Sequence, residues 1–245
     1  MEILNRYPLQ GVMNIIRFNW HFYLLAGLLL AVLLFLGQEI LVWFMAGSMI
    51  LSLAVSWYVY DASGLYTFRW LDFSGSGHPR SIVNIHAGFD ETSGRLLHRY
   101  PGAALQVFDF YDPGRHTEVS ISRARKAYAP CPGTRKISTN AIPLAAGSAD
   151  VIFLFLSAHE IRNFEERCIF FNELRRCLSD DGKIIVLEHL RDAPNFIAYN
   201  VGFLHFFSKR EWKRTFEQCR LDINREKKVT PFLSAFILQK NGIAS

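Results

Sequence analysis

Cysteine is scarce and unpatterned. Cys131, Cys168, Cys177 and Cys219 are the only four, and none forms a Cys-x-x-Cys pair or stands at zinc-ligand spacing with a histidine. That argues against a zinc finger and a disulfide framework and fits free thiols in a reducing compartment. Lysine and arginine form no block and do not interleave with aromatics, so no stretch reads as a nucleic-acid surface. The net charge of +5 fits an anionic membrane surface better. Repeats and low-complexity tracts are missing. A glycine triplet of the dinucleotide-binding kind is missing as well, which counts against a nicotinamide dehydrogenase. Charge itself is missing over two long stretches, residues 18–36 and 40–60.

Those two stretches are the first positive signal. Hydrophobic residues make up 50% of the chain and mean hydropathy is +0.11, which points to a membrane segment. Each uncharged run is close to the roughly 20 residues that span a bilayer, and only Gly37-Gln38-Glu39 separates them. The first is too long for a signal-peptide core, and no cleavage site precedes the second, so both are expected to be retained. Trp20 and Tyr23 mark one interface, Trp57, Tyr58 and Tyr60 the same one on the return, and Phe35, Trp43 and Phe44 the opposite turn. Arg6, Arg17 and Arg69 flank the open ends, which places both termini in the cytoplasm by the positive-inside rule, with the hairpin in the inner membrane. Gly27 and Ala31 on one helix and Ser48, Ser52 and Ser56 on the other predict close helix packing, and leave a homo-oligomer through the hairpin open. The organisation expected is an amphipathic segment over residues 1–17, a transmembrane hairpin over 18–60, a juxtamembrane linker over 61–80, and an α/β domain over 81–245. In the linker, Phe68, Trp70, Leu71 and Phe73 read as interfacial and Gly75 to Pro79 as a hinge.

The α/β domain opens on Ile82, Val83 and Ile85, an apolar run of the buried parallel-strand kind. It breaks at Ala87-Gly88 and passes into Asp90, Glu91, Thr92 and Ser93, residues that cap a helix start. A first helix is expected over residues 91–100 and a second strand over 104–109. Asp109 ends that strand about 20 positions after Gly88, the spacing at which an acid meets a ribose hydroxyl. An Asp capping the next turn is the competing reading. Arg115, Arg123, Arg125 and Lys126 lie on a basic helix, read as a solvated or membrane-facing surface. A third strand with its exit loop is expected over residues 136–144 and further strands over 149–156 and 184–187, with a helix over 163–178 between the last two. Ser208 and Glu211 form a capping box, and strands over 221–227 and 232–239 close the chain. Asp90 and Glu91 stand where a dinucleotide enzyme needs bare backbone; two carboxylates repel phosphate and attract a cation.

At these residues the chain resembles the class I S-adenosylmethionine-dependent methyltransferases. The family pattern is an acid, one residue, then glycines at alternate positions; here Asn84 falls on the acid, and His86, Gly88 and Asp90 fall on the glycines. The likeness runs over roughly residues 79–240. It implies a Rossmann-like seven-stranded α/β domain preceded by the two transmembrane helices, with S-adenosylmethionine as cofactor. By the same resemblance Asn84, His86, Ala87, Gly88, Asp90, Glu91, Asp109, Phe110 and Ser157 contact that cofactor, and Asn140 and Ala141 fall on the adenine-holding loop.

Methyl transfer needs alignment and, for a hydroxyl acceptor, a base. Histidine titrates near neutral pH and suits a phenol. His159, His189 and His205 lie at or after strand ends, where open α/β sheets hold their substrates; His159 ranks first and His189 second, with Arg191 and Asp192 as orienting groups. No metal site is expected, since no two histidines stand at helical spacing with a carboxylate. Tethering favours a membrane-dissolved acceptor, capped by the greasy stretch 196–207. The expected reaction is O-methylation of a hydrophobic small molecule such as a phenolic polyketide, an aryl polyene or a quinone-like lipid. A non-catalytic methyltransferase-like scaffold is the alternative.

Overall fold

The computed structural model describes residues 6–71 and 79–242. Seven strands form one sheet in the order β3-β2-β1-β4-β5-β7-β6: β1 (Ser81–His86), β2 (Ala104–Asp109), β3 (Arg135–Lys136), β4 (Ala149–Phe155), β5 (Leu178–His189), β6 (Leu221–Thr230) and β7 (Leu233–Lys240). The first five run parallel, and β7 enters antiparallel between β5 and β6. Strands buried on both faces read as continuous apolar runs, with alternate residues on opposite sides. Val83 and Ile85 of β1, Ile152 and Leu154 of β4, and Ile184 and Val186 of β5 pack on one face. Ile82, Val151, Phe153 and Ile185 pack on the other. Each such side chain contributes about 1.5–3 kcal/mol by leaving water. Strand order reverses between β1 and β4, so the crevice at their carboxyl ends is where this topology opens a site.

Helices α4 (Ser93–Arg99), α5 (Val119–Ala127), α6 (Phe164–Cys177), α7 (Ala193–Tyr199) and α8 (Lys209–Gln218) connect the strands. The expected capping box at Ser208 and Glu211 is present. Several expected bounds move. The first helix begins at Ser93, because Asp90 Oδ1 accepts from the Thr92 and Ser93 amides and holds residues 90–92 in a turn. The third strand keeps only two residues; beyond Lys136 the chain bonds Asp109 once, through Ile137 N, and then turns away. The fifth starts earlier, at Leu178, with a register shift opposite Ala149 and Val151.

The N-terminal region departs further from expectation. It forms α1 (Gln10–Phe18), α2 (Trp20–Phe35) and α3 (Glu39–Trp57), followed by a π-helical turn (Tyr58–Ala62) and a 3-10 turn (Leu65–Thr67). The first apolar run forms the single helix α2, and α1, which falls in the expected amphipathic segment, meets it at an angle of 74°. Phe18 stands at the break, only 6% exposed and packed edge-on against Phe89 and Tyr128 of the α/β domain. Among the described residues, Glu39–Thr67 is the one helical stretch long and apolar enough to cross a membrane by itself; α1 and α2 qualify only as a bent pair. No residue of α2 is buried, and Phe35 and Ile40 are 91% and 85% exposed. The close approach expected at Gly27 is not made, since a Cβ there meets nothing within 4 Å. Phe68 and Leu71, expected at an interface, are instead buried in the sheet's second face. Phe73 and residues 75–78 of the expected hinge lie outside the described residues.

Candidate active site

A cavity of about 550 Å³ opens at the carboxyl ends of β1, β4 and β5. Segments distant in sequence wall it. Asn84, His86 and Ala87 come from β1 and its exit, Ser157, His159 and Glu160 follow β4, and His189 ends β5. Phe22, Tyr23, Ser52 and Tyr60 come from the helical hairpin, and His205 and Phe206 from the segment after α7. The cavity is thus shared between the apolar N-terminal helices and the α/β domain.

The loop after β1 is fastened from within. Asn84 is buried and its amide donates to Thr92 Oγ1 at 2.9 Å and Ser93 Oγ at 2.8 Å, so its NH2 group braces the loop. His86 Nδ1 accepts from Gly88 N at 2.8 Å, and Gly88 has the positive φ of 96° that favours glycine. Burial pushes the His86 imidazole below its ordinary pKa, so it is neutral and carries its proton on Nε2. That Nε2 and the nearby Asp90 Oδ2, 4.0 Å away, are buried without a hydrogen-bond partner. Glu91 is saturated instead: Arg6 and Gln10 bond one oxygen and Tyr66 the other. Glu91 lines the cavity, tied there to the N-terminal region by these bonds.

Asp109 sits opposite His86 in the β1–β2 register. Its Oδ1 accepts from Tyr111 N, and its Oδ2 pairs with Arg125 at 2.7 Å. Arg125 also donates to Ala87 O at 3.3 Å and lies over the Tyr111 ring. It covers Gly88 so closely that a Cβ there would lie 1.3 Å from its guanidinium. The basic helix therefore turns one of its arginines inward, across the ends of β1 and β2. Phe110 packs in the core against Phe170. Asn140 and Ala141 do not join this cavity; Asn140 lines a second one with Thr139, Arg115 and Glu166. Ser157 is buried and donates to Ile85 O.

The three histidines have distinct environments. His159 Nδ1 lies 2.6 Å from Glu188 Oε2, and its Nε2 lies 3.3 Å from Glu160 Oε1. Burial alone would lower this imidazole, but Glu188, aided by Glu160, raises it to about 10. It is therefore an imidazolium at neutral pH with both nitrogens occupied, which is a poor state for a proton acceptor. His189 is the opposite: burial pushes it down to about 4, so it is neutral. Its Nδ1 faces Asn195 Oδ1 and Phe232 O, both at 3.0 Å. These are acceptors, so the proton sits on Nδ1 and Nε2 accepts a hydrogen bond from the Tyr60 hydroxyl at 2.8 Å. Phe206 stacks on the ring at 4.7 Å. His205 lies edge-on to His159 with centroids 5.1 Å apart, bonded to Glu118 and Arg162.

Arg125, Glu118 and Tyr60 were not legible as site residues. Tyr60 looks in sequence like any aromatic closing a membrane span, and the other two like surface charges.

Residues 104–186 match the family model described as a methyltransferase domain. No curated protein matches the chain in sequence. Among solved structures, a SAM-dependent methyltransferase from Aquifex aeolicus is similar at 16% identity, covering 73% of this chain and 93% of that one, with a TM-score of 0.50. The mitomycin 7-O-methyltransferase MmcR is similar at 16%, covering 97% and 74%, with a TM-score of 0.58. Human N-acetylserotonin methyltransferase in complex with SAM is similar at 14%, covering 79% and 56%, with a TM-score of 0.54. Likeness at these identities establishes the fold.

Proposed function

We infer that this chain, an S-adenosylmethionine-dependent methyltransferase, is held at a membrane by its N-terminal helices and O-methylates a hydrophobic small molecule dissolved there. The observation that carries this is the shared cavity: Phe22, Tyr23 and Ser52 of the hairpin wall the same space as His86, Ser157 and His159. A large exposed apolar surface needs a partner, and lipid suits α2, which buries nothing. Phe196, Ile197, Val201 and Leu204 extend that surface onto the α/β domain, and a membrane-partitioned acceptor reaches the site without crossing water. The acceptors that fit are a phenolic polyketide, an aryl polyene or a quinone-like lipid. Exposed Arg17 and Arg69 near the domain side favour a cytoplasmic catalytic domain on the inner membrane.

The chain's groups fit the cofactor. Asp90 Oδ2 is an orphaned buried acceptor beside the Gly88 turn, suited to an ammonium, and Asp109 is placed for ribose hydroxyls once Arg125 withdraws. Arg125→Ala is expected to lower the Kd for S-adenosylmethionine about tenfold, which is about 1.4 kcal/mol, measured by isothermal titration. Weaker binding in that variant would mean that Arg125 holds the cofactor rather than competing with it.

When bound, S-adenosylmethionine supplies an electrophilic methyl group and leaves as a neutral thioether, so a proton taken up by the chain leaves the site's net charge unchanged. Tyr60 and His189 are placed to take that proton. The acceptor's O–H gives its proton to the Tyr60 oxygen while Tyr60 passes its own to His189 Nε2, which becomes the imidazolium. Asn195 and Phe232 O keep the tautomer that makes this possible. His159, already charged, orients the acceptor with Glu160.

The test is mass spectrometry of lipid extracts from membranes with and without the full-length chain, given S-adenosylmethionine. A hydrophobic compound gaining one methylene mass is expected. No such compound, together with no cofactor binding by the membrane-embedded chain, would leave the scaffold reading in place of the enzyme.

A further inference from the structure

One cluster in the cavity exceeds what methyl transfer requires. A ring nitrogen of His159, a carboxylate oxygen of Glu160 and a ring nitrogen of His205 all lie within 4.8 Å of one another. His159 and Glu160 come from the 3-10 turn after β4 (Ala158–Glu160), and His205 ends the 3-10 segment after α7 (Asn200–His205). Neither segment is a regular helix, so the spacing that the sequence lacks is supplied by tertiary contact. Each imidazole is backed by a carboxylate at Nδ1: His159 by Glu188 at 2.6 Å, His205 by Glu118 at 3.1 Å. A carboxylate on Nδ1 fixes the ring, the usual outer-shell arrangement of metal-bound histidine, and a metal at Nε2 of His159 displaces the proton held there beside Glu160 to solvent. Glu160 is only 4% exposed, and its Oε2 is buried with no hydrogen-bond partner. A buried carboxylate oxygen left unpaired is costly. Three carboxylates thus meet two imidazoles, and Arg162, an exposed side chain, lies against the His205 ring.

We propose that His159, Glu160 and His205 bind a divalent transition metal ion, zinc by preference, with Glu188 and Glu118 orienting the two imidazoles. Two histidines and one carboxylate make a three-ligand zinc set that leaves a fourth position open. Imidazole favours zinc and its neighbours over magnesium or calcium, which take oxygen ligands. Ligands about 2.1 Å from a tetrahedral ion lie about 3.4 Å apart, so the cluster closes by roughly an ångström and Arg162 moves off His205. All three ligands line the cavity, so the open position faces the acceptor. An acceptor hydroxyl bound there loses its proton more readily; that role rests on the O-methylation reading, whereas the metal site does not.

The experiment uses the full chain in detergent, stripped with chelator and then titrated with Zn²⁺ alone by calorimetry and with Co²⁺ alone by visible spectroscopy. One ion per chain is expected, with a zinc Kd of about 1 μM or below and a four-coordinate Co²⁺ spectrum lacking thiolate charge transfer, since Cys168 and Cys219 are not ligands. Glu160→Gln and His205→Ala should each weaken zinc binding at least 100-fold and Glu188→Gln about 10–100-fold, while Arg162→Ala tightens it. Circular dichroism of each variant checks folding, and Glu160→Gln keeps the test alive should His205→Ala not fold. No binding by the wild-type chain, or binding unchanged in folded Glu160→Gln, overturns the site. Zinc bound by these residues in a protein that methylates nothing would keep the site and sink the reaction; a chain that methylates yet binds no zinc does the reverse.

Discussion

Tyr60→Phe lowers kcat by about 10²–10⁴-fold, the usual worth of a positioned proton-transfer group, and leaves cofactor affinity within about twofold. Tyr60 lies in the π-helical turn after the apolar helix α3, and its hydroxyl lies 2.8 Å from His189 Nε2. His189→Asn produces a loss of the same size, and the double variant is no worse than either single, because residues acting as one unit are not additive. The pH profile separates this relay from a structural role. With His189 pushed down to about 4 by burial, kcat/KM stays flat as pH falls from about 7 and drops only as it nears 4. Steady-state kinetics on the reconstituted protein, with a surrogate phenol as acceptor, measure both. A Tyr60→Phe enzyme within threefold of wild type excludes the relay. So does an acid limb near the ordinary histidine value of about 6.5, which would mean that a different imidazole takes the proton.

Glu188→Ala destabilises the fold by about 3–5 kcal/mol, because removing one partner of a buried pair leaves the other without compensation. Glu188 is fully buried at the end of β5, and it bonds both the ring and the backbone amide of His159. The pH dependence follows from linkage. His159 is raised from its ordinary 6.5 to about 10, so the folded state binds more protons in that interval. Its stabilisation is complete below pH 6.5 and is lost as pH rises toward 10. His189, lowered to about 4, works in the other direction: its contribution is present above 6.5 and is lost as pH falls toward 4. Denaturant unfolding of the detergent-solubilised chain at pH 7 and pH 10 gives the comparison. Wild type loses stability across that interval and Glu188→Ala loses much less. Equal slopes would show that Glu188 does not hold the His159 proton.

Both predictions turn on contacts between segments far apart in the chain, and this marks the border of what the sequence discloses. The apolar runs of Ile82 to Ile85 and of Val151 to Leu154 announce strands, because such runs are local properties. The Asp109 position follows from strand length and turn spacing, and Ser208 with Glu211 closes its capping box within four residues. The two uncharged N-terminal runs are equally plain as apolar helices. In each case the physics is settled within one or two turns of backbone.

What lies beyond that range is not legible in the sequence. Asn84 and Glu91 have the chemistry of cofactor ligands, but Asn84 is drawn into the loop by Thr92 and Ser93, and Glu91 is taken by Arg6, Gln10 and Tyr66. Arg125 belongs to a helix that reads as solvated, yet Asp109 pulls it across the site. Phe18 reads as the first residue of a membrane span, and Phe89 and Tyr128 hold it in the domain instead. The three histidines are equivalent as letters. Only the fold gives His159 two carboxylates and leaves His189 none, so one is charged and the other neutral at the same pH. The sequence alone determined the strands, their class of fold and the apolar helices, since those rest on local periodicity. Tertiary structure decided which polar groups are free to act, because a buried charge is set by the partners that packing brings within about 4 Å of it.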